Sequence, residues 1–275
     1  MRHLILALAI LLLAACGGGD RTAGPAGRSV LDRVLASGTV RVGVKADSPP
    51  FGVERSGARM GFDIDIAQAV ARRLGVEAAF VTVTSADRIP RLVAGEVDMV
   101  VASMTQTRSR ERQVDFSVPY FEDGPAVLVG TASGIDGYVA LGGRKVGVAK
   151  GSTTAQSLAT IAPEAVLVEL PAIADLMPAL RSGTVDAIAS DYLILLALRR
   201  TEAEPGRWAI PGGRIVAEPY GIALPQDQSA WRDAVNAALM AMWEDGEWAR
   251  ISDAWFGQQS AMPADVRFVL PTIPR

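Results

Sequence analysis

Two polar side chains, Ser103 and Asp191, lie at matching places in a repeated module. Residues 90–98 and 178–186 share the pattern Pro-x-Leu-x-x-Gly-x-Val-Asp, and Ser103 and Asp191 each follow its final aspartate by five residues. A Val-Gly-Val string precedes each copy. Two related units predict two lobes with a cleft between them. A hydroxyl and a carboxylate would then face a ligand from opposite sides of that cleft.

Residues for nucleophilic or metal-dependent catalysis are scarce. His3 is the only histidine and Cys16 the only cysteine in the sequence. Their absence from the rest of the chain disfavours Ser-His-Asp and Cys-His catalysis and most zinc sites, and it excludes an intramolecular disulfide. We therefore expect no metal, no cofactor and no enzymatic activity.

The N-terminus has the pattern of a signal peptide, predicted over residues 1–15. Arg2 precedes an apolar run from Leu4 to Ala15, which is shorter than the roughly 20 residues of a membrane span and suits a signal-peptide core. Leu-Ala-Ala before Cys16 resembles the lipobox of bacterial lipoproteins, which implies lipid attachment at that cysteine. An ordinary secretory signal with an incidental cysteine is the alternative.

Composition restricts the partners of the remaining chain. Residues 16–29 are rich in Gly, Ala and Arg, which predicts a lipid-anchored flexible tether. The formal net charge is −3 and no basic stripe is present, so we expect no nucleic-acid partner. A second apolar segment of membrane-spanning length is also missing. We expect a protein anchored to the membrane on its periplasmic or extracellular side.

Strand and helix patterns alternate after residue 30, which predicts an α/β fold with a mostly parallel sheet in each lobe. Periodicity, glycines and prolines predict strands at 40–45, 76–83, 97–102, 145–148, 166–170, 185–189 and 215–224, and helices at 66–74, 87–94, 153–161, 175–181, 230–243 and 247–255. Asp63 or Asp65 is expected to cap the first of these helices.

Two crossings between the units, near 126–131 and 214–220, predict a two-stranded hinge. Lobe 1 would then contain residues 30–128 and 218–275, and lobe 2 residues 129–217.

The string Gly-Phe-Asp-Ile-Asp-Ile at 61–66 resembles the signature of family 3 of the bacterial extracellular solute-binding proteins, the polar-amino-acid receptors of ABC importers. The resemblance covers about 39–257 and includes further strings at 83–90, 104–121, 146–153 and 255–257. It implies the type II periplasmic-binding-protein fold. It also implies a monomeric lipoprotein that binds an amino acid between its lobes and delivers it to a membrane permease.

The resemblance also implies roles on the carboxylate side of the ligand. Arg110 matches the family arginine that binds the α-carboxylate, since a guanidinium can hold a carboxylate with two parallel hydrogen bonds. Thr105 and Thr153 match hydroxyl and amide donors beside it. The alternative for Arg110 is a solvated charge run, because residues 108–112 are Arg-Ser-Arg-Glu-Arg.

On the ammonium side, Asp191 matches the family carboxylate and Ser103 the acceptor that faces it. The alternative for Asp191 is a helix cap, a place that aspartate favours, or both roles at once. Phe62 matches an apolar wall of the cleft, with a place in the core as its alternative.

Departures from the commonest family pattern bear on the ligand. Many members carry an aspartate at the place of Lys45 and an aromatic ring at the place of Ser48. If Arg110 and Asp191 neutralise the two charges of an amino acid, Lys45 and Arg88 are surplus cations that would be costly to desolvate. A second carboxylate on the ligand would pair with them.

The sequence therefore looks most like the glutamate/aspartate-binding branch, which shares the basic residue at position 45. It also shares the Thr-Ser-x-x-Arg-Ile-Pro string at 84–90, so Ser85 is included among the ligand-binding residues. Ile173 departs from that branch, which can place a histidine there. Lys150 is a further candidate that could instead point to solvent. Glutamine and asparagine remain alternative ligands.

Other functions on the same scaffold are an enzyme of the cyclohexadienyl dehydratase or lytic transglycosylase kind, and a ligand-sensing receptor subunit. A dehydratase needs an acid/base carboxylate in the cleft, and the equivalent region, 175–179, has no glutamate. Fold resemblance alone does not separate import from sensing.

Overall fold

The computed structural model describes residues 29–264, 266 and 268–270. The predicted signal peptide, the cysteine of the lipobox and nearly all of the tether lie outside the described residues. Within the described part of the chain, the helices are too short or too polar to cross a membrane.

The elements alternate between strand and helix in both halves of the described chain. The helices, α1 to α9, are Val30–Ser37, Phe62–Arg73, Arg88–Val93, Arg108–Glu111, Thr154–Ile161, Leu176–Arg181, Tyr192–Thr201, Ser229–Glu244 and Glu247–Phe256. The strands, β1 to β15, are Thr39–Val44, Asp47–Ser48, Gly52–Arg55, Ala58–Met60, Glu77–Thr82, Met99–Val100, Asp115–Phe116, Phe121–Asp123, Pro125–Gly130, Lys145–Ala149, Val166–Leu170, Ala187–Asp191, Trp208–Ala209, Glu218–Tyr220 and Ala223–Leu224.

Two five-stranded sheets with the same plan form the centres of two lobes. The first has the order β5-β1-β6-β15-β7 and the second β11-β10-β12-β9-β13. In each sheet, the strand that contains the Val-Gly-Val string, β1 or β10, pairs in parallel with both of its neighbours. Helices cover the faces of these sheets, as the alternating pattern predicted.

Four of the five strands in each sheet run in the same direction, which confirms the expected mostly parallel arrangement, and one antiparallel strand makes each sheet mixed. The chain enters the second lobe on β9 and returns to the first on β15, and each of these strands runs antiparallel to its two neighbours. A strand that arrives from the other lobe runs in the opposite direction to strands that a crossover helix delivers.

Strands β8 and β14 form the hinge, an antiparallel pair in which Phe121 lies opposite Tyr220 and Asp123 opposite Glu218. The predicted two-lobed α/β fold with a two-stranded hinge is thereby confirmed. The first crossing lies earlier than the predicted 126–131, because residues 125–130 are β9, inside the second sheet. The boundary that we placed after residue 128 is therefore too late, since a buried apolar strand and a crossing strand have similar compositions.

The aspartate that ends each repeated module holds the strand beside it. The Asp98 carboxylate accepts the backbone N–H of Arg41 at 2.8 Å, and the Asp186 carboxylate accepts that of Lys145 at 2.8 Å. The first copy is reinforced, because Asp98 is buried and also binds the guanidinium groups of Arg41 and Arg33. The aspartates of the repeated module therefore have a structural role, and Asp98 makes more interactions than Asp186.

This difference predicts unequal costs of removing the two aspartates. Asp98→Ala should lower the free energy of unfolding by about 2 kcal/mol, because it leaves a part-buried amide and two half-exposed guanidinium groups without their acceptor. Asp186→Ala, at an exposed position, should cost about 1 kcal/mol. Urea denaturation of both variants measures the difference, and equal costs would contradict it.

Candidate functional site

Polar side chains with little solvent contact lie close together at the carboxyl ends of strands from both sheets. Lys45 follows β1, Ser103 follows β6 and Asp191 is the last residue of β12. Lys45 is 4% exposed, Arg88 is 2% exposed and Arg110 is 7% exposed. We call these three residues the cation cluster. They are the buried lysine and arginine residues of the described chain.

Arg110 connects the two lobes. Its Nη1 donates to the carbonyl oxygen of Thr105 at 2.6 Å, and its Nη2 donates to that of Gly151, in the other lobe, at 3.1 Å. Its neighbours Arg108 and Arg112 are exposed, so the charge run is solvated except at this one position. A guanidinium has five N–H donors, and these two bonds leave donors for an anion.

Asp191 occupies the N-cap position of α7, yet its side chain makes no capping hydrogen bond. Its Oδ2 instead accepts the hydroxyl of Tyr220 at 2.6 Å. Burial raises the pKa of the Asp191 carboxyl, and the Tyr220 hydrogen bond and the three residues of the cation cluster oppose that rise. The position is that of a cap, whereas the carboxylate is directed toward the hinge tyrosine and the cations.

Lys45 and Arg88 have no ion pair within the described residues. Arg88 Nη1 donates to the carbonyl oxygen of Ala102 at 2.7 Å, and its buried Nε has no hydrogen-bond partner in the described chain. Burial and the Arg88 charge lower the pKa of Lys45 to about 8, and burial and Arg110 lower the pKa of Arg88 to about 9. Both shifts mean that these cations are held close together and away from water.

Asp63 belongs to the same group of buried charges, a role that the sequence analysis missed. Its carboxylate accepts the backbone N–H of Ser103 at 2.6 Å and the hydroxyl of Tyr120 at 2.8 Å. Burial raises its pKa to about 6, against these two hydrogen bonds and the charges of Lys45 and Arg88. The expected cap on α2 is wrong, because the N-cap residue is Gly61 and Asp63 lies within the helix.

Ser103 has an unusual backbone conformation for a non-glycine residue, with φ at 41°. The hydrogen bond from its amide to Asp63 holds this turn, and its buried Oγ has no partner among the described residues. The turn therefore presents a free hydroxyl beside the cation cluster.

Several hydrogen bonds join the lobes in a closed arrangement. The Oγ1 of Thr153, the N-cap residue of α5, lies 3.3 Å from both Thr105 Oγ1 and Glu218 Oε2, and these two acceptors share its one hydroxyl hydrogen. Ala174 N–H donates to Asp47 Oδ2 at 3.2 Å. The lobes also approach closely at Gly151, where a Cβ would lie 2.6 Å from the carbonyl oxygen of Ser85. Ser85 therefore lies at the seam between the lobes.

Two predicted site residues lie elsewhere. Phe62 is fully buried and packs against other rings of the lobe 1 core, with centroid distances of 4.9 Å to Phe121 and 5.4 Å to Phe256. It is a core residue and not a wall of the cleft, because aromatic rings from other elements surround it and leave it no exposed surface. Lys150 is exposed at the turn after β10.

The residues that sequence reasoning missed are Asp63, Tyr120, Tyr220 and Glu218. Asp63 lies in the most specific string of the chain, so its motif was a signal even though its partner was unknown. The two tyrosines and Glu218 lie near or in the hinge strands, and their local sequence carries no pattern that predicts a contact with Asp63, Asp191 or Thr153.

Comparisons with known proteins agree with this architecture. The family model described as bacterial extracellular solute-binding proteins, family 3, matches residues 40–258. The ABC transporter glutamine-binding protein GlnH of Bacillus subtilis (strain 168) is 39% identical over 94% of this chain and 97% of its own length. The glutamine-binding protein of Geobacillus stearothermophilus is 36% identical over 82% of this chain and 90% of its own.

Among solved structures, an ancestral arginine-binding protein bound to glutamine superposes with a TM-score of 0.76 at 39% identity. The match covers 80% of this chain and 99% of that one. These relatives are binding proteins, not enzymes, which confirms that expectation. The names of these relatives state glutamine and arginine as ligands, whereas the sequence resemblance pointed to the glutamate/aspartate-binding branch.

The close approach at Gly151 predicts that a methyl group there blocks closure. Gly151→Ala should lower ligand affinity at least tenfold and leave a larger radius of gyration with ligand present, because its Cβ meets the Ser85 carbonyl oxygen. Calorimetry and small-angle X-ray scattering measure these effects.

Gly183→Ala is the matched control. Gly183 has φ of 73°, against 77° at Gly151, but open space around its Cβ position. Both variants carry the same backbone strain, so equal affinity losses would show that strain and not closure is responsible.

Proposed function

Because the chain belongs to the bacterial extracellular solute-binding proteins of family 3, we propose that it is the substrate-binding component of an amino acid ABC importer and that its ligand is an acidic amino acid, glutamate or aspartate. The ligand binds between the lobes outside the cytoplasm, and the closed protein delivers it to a membrane permease. The anchor at Cys16 and the monomeric state remain predictions from the sequence.

The α-carboxylate is assigned to Arg110. Its guanidinium has free donors at the seam, and the hydroxyls of Thr105 and Thr153 lie beside it from opposite lobes. Thr153 is at the N-terminus of α5, where backbone N–H groups favour an anion. An anion held here contacts both lobes, so it stabilises the closed form more than the open one, as a ligand that drives closure must.

The ligand ammonium is assigned to Asp191, with the free Ser103 hydroxyl as a neutral acceptor. Asp191 makes no capping bond to its helix and keeps its carboxylate available. The negative charge of Asp191 is itself favoured by the neighbouring cations. This arrangement neutralises both charges that every amino acid carries.

The observation that carries the acidic ligand is the charge balance of the buried site. The cation cluster contributes three buried positive charges and Asp63 one buried negative charge beside them, whereas Asp191, Asp47 and Glu218 act on these cations from part-buried positions. A zwitterion adds no net charge. A side-chain carboxylate placed near Lys45 and Arg88 removes the excess positive charge and gives the unpartnered Arg88 Nε an acceptor.

Glutamine is the second candidate, and the named relatives favour it. An amide oxygen can accept hydrogen bonds from Lys45 and Arg88 in the same place, although it leaves the excess positive charge. Arginine is disfavoured, because it would add a fourth cation to the buried cluster.

A calorimetric panel of the twenty amino acids on ligand-stripped protein tests the proposal. We expect glutamate or aspartate to bind at least tenfold more tightly than glutamine, because a charged acceptor strengthens each hydrogen bond from the cations. Arg110→Ala should nearly abolish binding of whichever ligand is preferred.

Tighter binding of glutamine would replace the acidic ligand while leaving the amino acid function intact. Near-normal affinity of the Arg110→Ala variant would remove the assignment of the α-carboxylate. Failure of all twenty amino acids to bind would contradict the proposed function.

The pKa of Lys45 predicts how the preference changes with pH. Below about pH 8 Lys45 is already protonated in the free protein, so a side-chain carboxylate binds without proton uptake. Above that pH the amine must take up a proton on binding. The ratio of glutamate to glutamine affinity should therefore fall, by up to about tenfold per pH unit.

Lys45→Met should lower glutamate affinity about 10- to 100-fold and move the fall of that ratio to higher pH, where Arg88, with a pKa lowered to about 9, begins to titrate. Using the ratio cancels the titration of the ligand's own ammonium group. Lys145→Met is the matched control, because Lys145 is exposed at the start of β10. A ratio that stays constant from pH 7 to 9 in the unmodified protein would exclude Lys45 as the partner of the side-chain carboxylate.

A further inference from the structure

The first free amides of α7 are capped by the hinge and not by the helix's own N-cap residue. Tyr192 N–H donates to the Gly124 carbonyl oxygen at 2.8 Å. Leu193 N–H donates to Asp123 Oδ2 at 2.9 Å. Asp123 is the last residue of the hinge strand β8, and it lies far from α7 in sequence.

The Asp123 carboxylate takes the place that the Asp191 carboxylate would ordinarily have as the cap of α7. An aspartate at the N-cap position ordinarily accepts the N–H of the second or third helical residue. Asp123 already occupies the second, Leu193 N–H. Asp191 keeps N-cap backbone geometry, with φ of −66° and ψ of 145°, while its Oδ2 accepts the Tyr220 hydroxyl and not a helix N–H.

Asp123 is 0% exposed, and its Oδ1 has no hydrogen-bond partner within the described residues. The charged and titratable groups that face it are Arg214, whose Nη1 lies 3.9 Å from Oδ1, Asp191 and Tyr220. Burial, and then the nearby Asp191 charge, raise the pKa of Asp123 well above its usual range.

We propose that Asp123 is a positioning residue for the ligand ammonium: by capping α7 from the hinge, it keeps the Asp191 carboxylate off the helix and directed into the cleft. The identity of the ammonium rests on the proposed function, whereas the competition between the two carboxylates for Leu193 N–H is a property of the protein alone.

Both strands of the hinge then supply groups that position Asp191. β8 supplies the cap of α7 through Asp123, and β14 supplies the Tyr220 hydroxyl that holds Asp191. Because these strands pair with each other, a change in hinge geometry moves both supports of the carboxylate. Ammonium recognition is thereby linked to lobe closure.

The test compares Asp123→Ala with Asp123→Asn, using glutamate and its analogue without the amino group, glutarate. Asparagine can cap Leu193 N–H, and alanine cannot. In Asp123→Ala, Asp191 should rotate onto the helix, so glutamate affinity falls at least tenfold while glutarate affinity stays within about twofold of the unmodified protein. Asp123→Asn should retain the affinity for both.

Ser29→Ala is the control for loss of a helix cap alone, since Ser29 caps α1 through Asp32 N–H, away from the cleft. It should lose stability and keep affinity. Unchanged glutamate affinity in Asp123→Ala, or equal losses for glutamate and glutarate, would overturn the proposal.

A ligand-free measurement separates this proposal from the proposed function. In a crystal structure of Asp123→Ala without ligand, the Asp191 carboxylate should accept Leu193 N–H, and in Asp123→Asn it should not. An Asp191 side chain that stays on Tyr220 in Asp123→Ala would overturn the proposal, even if the unmodified protein bound no amino acid.

Discussion

Burial of like charges between two lobes is the constraint on which the rest of the structure depends. Lys45, Arg88 and Arg110 lie almost without solvent contact, and removing cations from water is costly unless partners replace the lost hydration. Asp63 and Asp191 supply part of that replacement, and carbonyl oxygens at strand ends supply more. The buried carboxylates need supports of their own, which the hydroxyls of Tyr120 and Tyr220 provide.

The hinge does more than connect the lobes. Glu218 on β14 accepts hydrogen bonds from Thr153 and Ser157 at the start of α5, and Asp123 on β8 caps α7. Both helices begin in lobe 2 and face the cleft. The strands that join the lobes are therefore the same strands that hold the polar ends of lobe 2, so a change in lobe position would also change the geometry of the site.

The repeated module gives the two sides of the site the same backbone arrangement but different polar groups. Its aspartates, Asp98 and Asp186, make the same backbone hydrogen bond in each lobe. The residues that follow, Ser103 and Asp191, lie at equivalent strand ends but supply a hydroxyl and a carboxylate. Periodicity, glycines and spacing predicted this frame and most of its helices, because those signals report local burial and backbone conformation. The roles of the charged residues near the cleft were implied by the resemblance to the family.

Contacts between residues distant in sequence were decided by the tertiary structure alone. The motif that contains Phe62 and Asp63 was evident, but only packing shows that the ring enters the core and the carboxylate reaches Ser103. Asp191 has the residue type and backbone conformation of a helix cap. Its carboxylate is left free because Asp123, which is distant in sequence, accepts the Leu193 N–H. The physical reason is that a local pattern determines where a side chain starts, whereas its partner comes from another part of the chain.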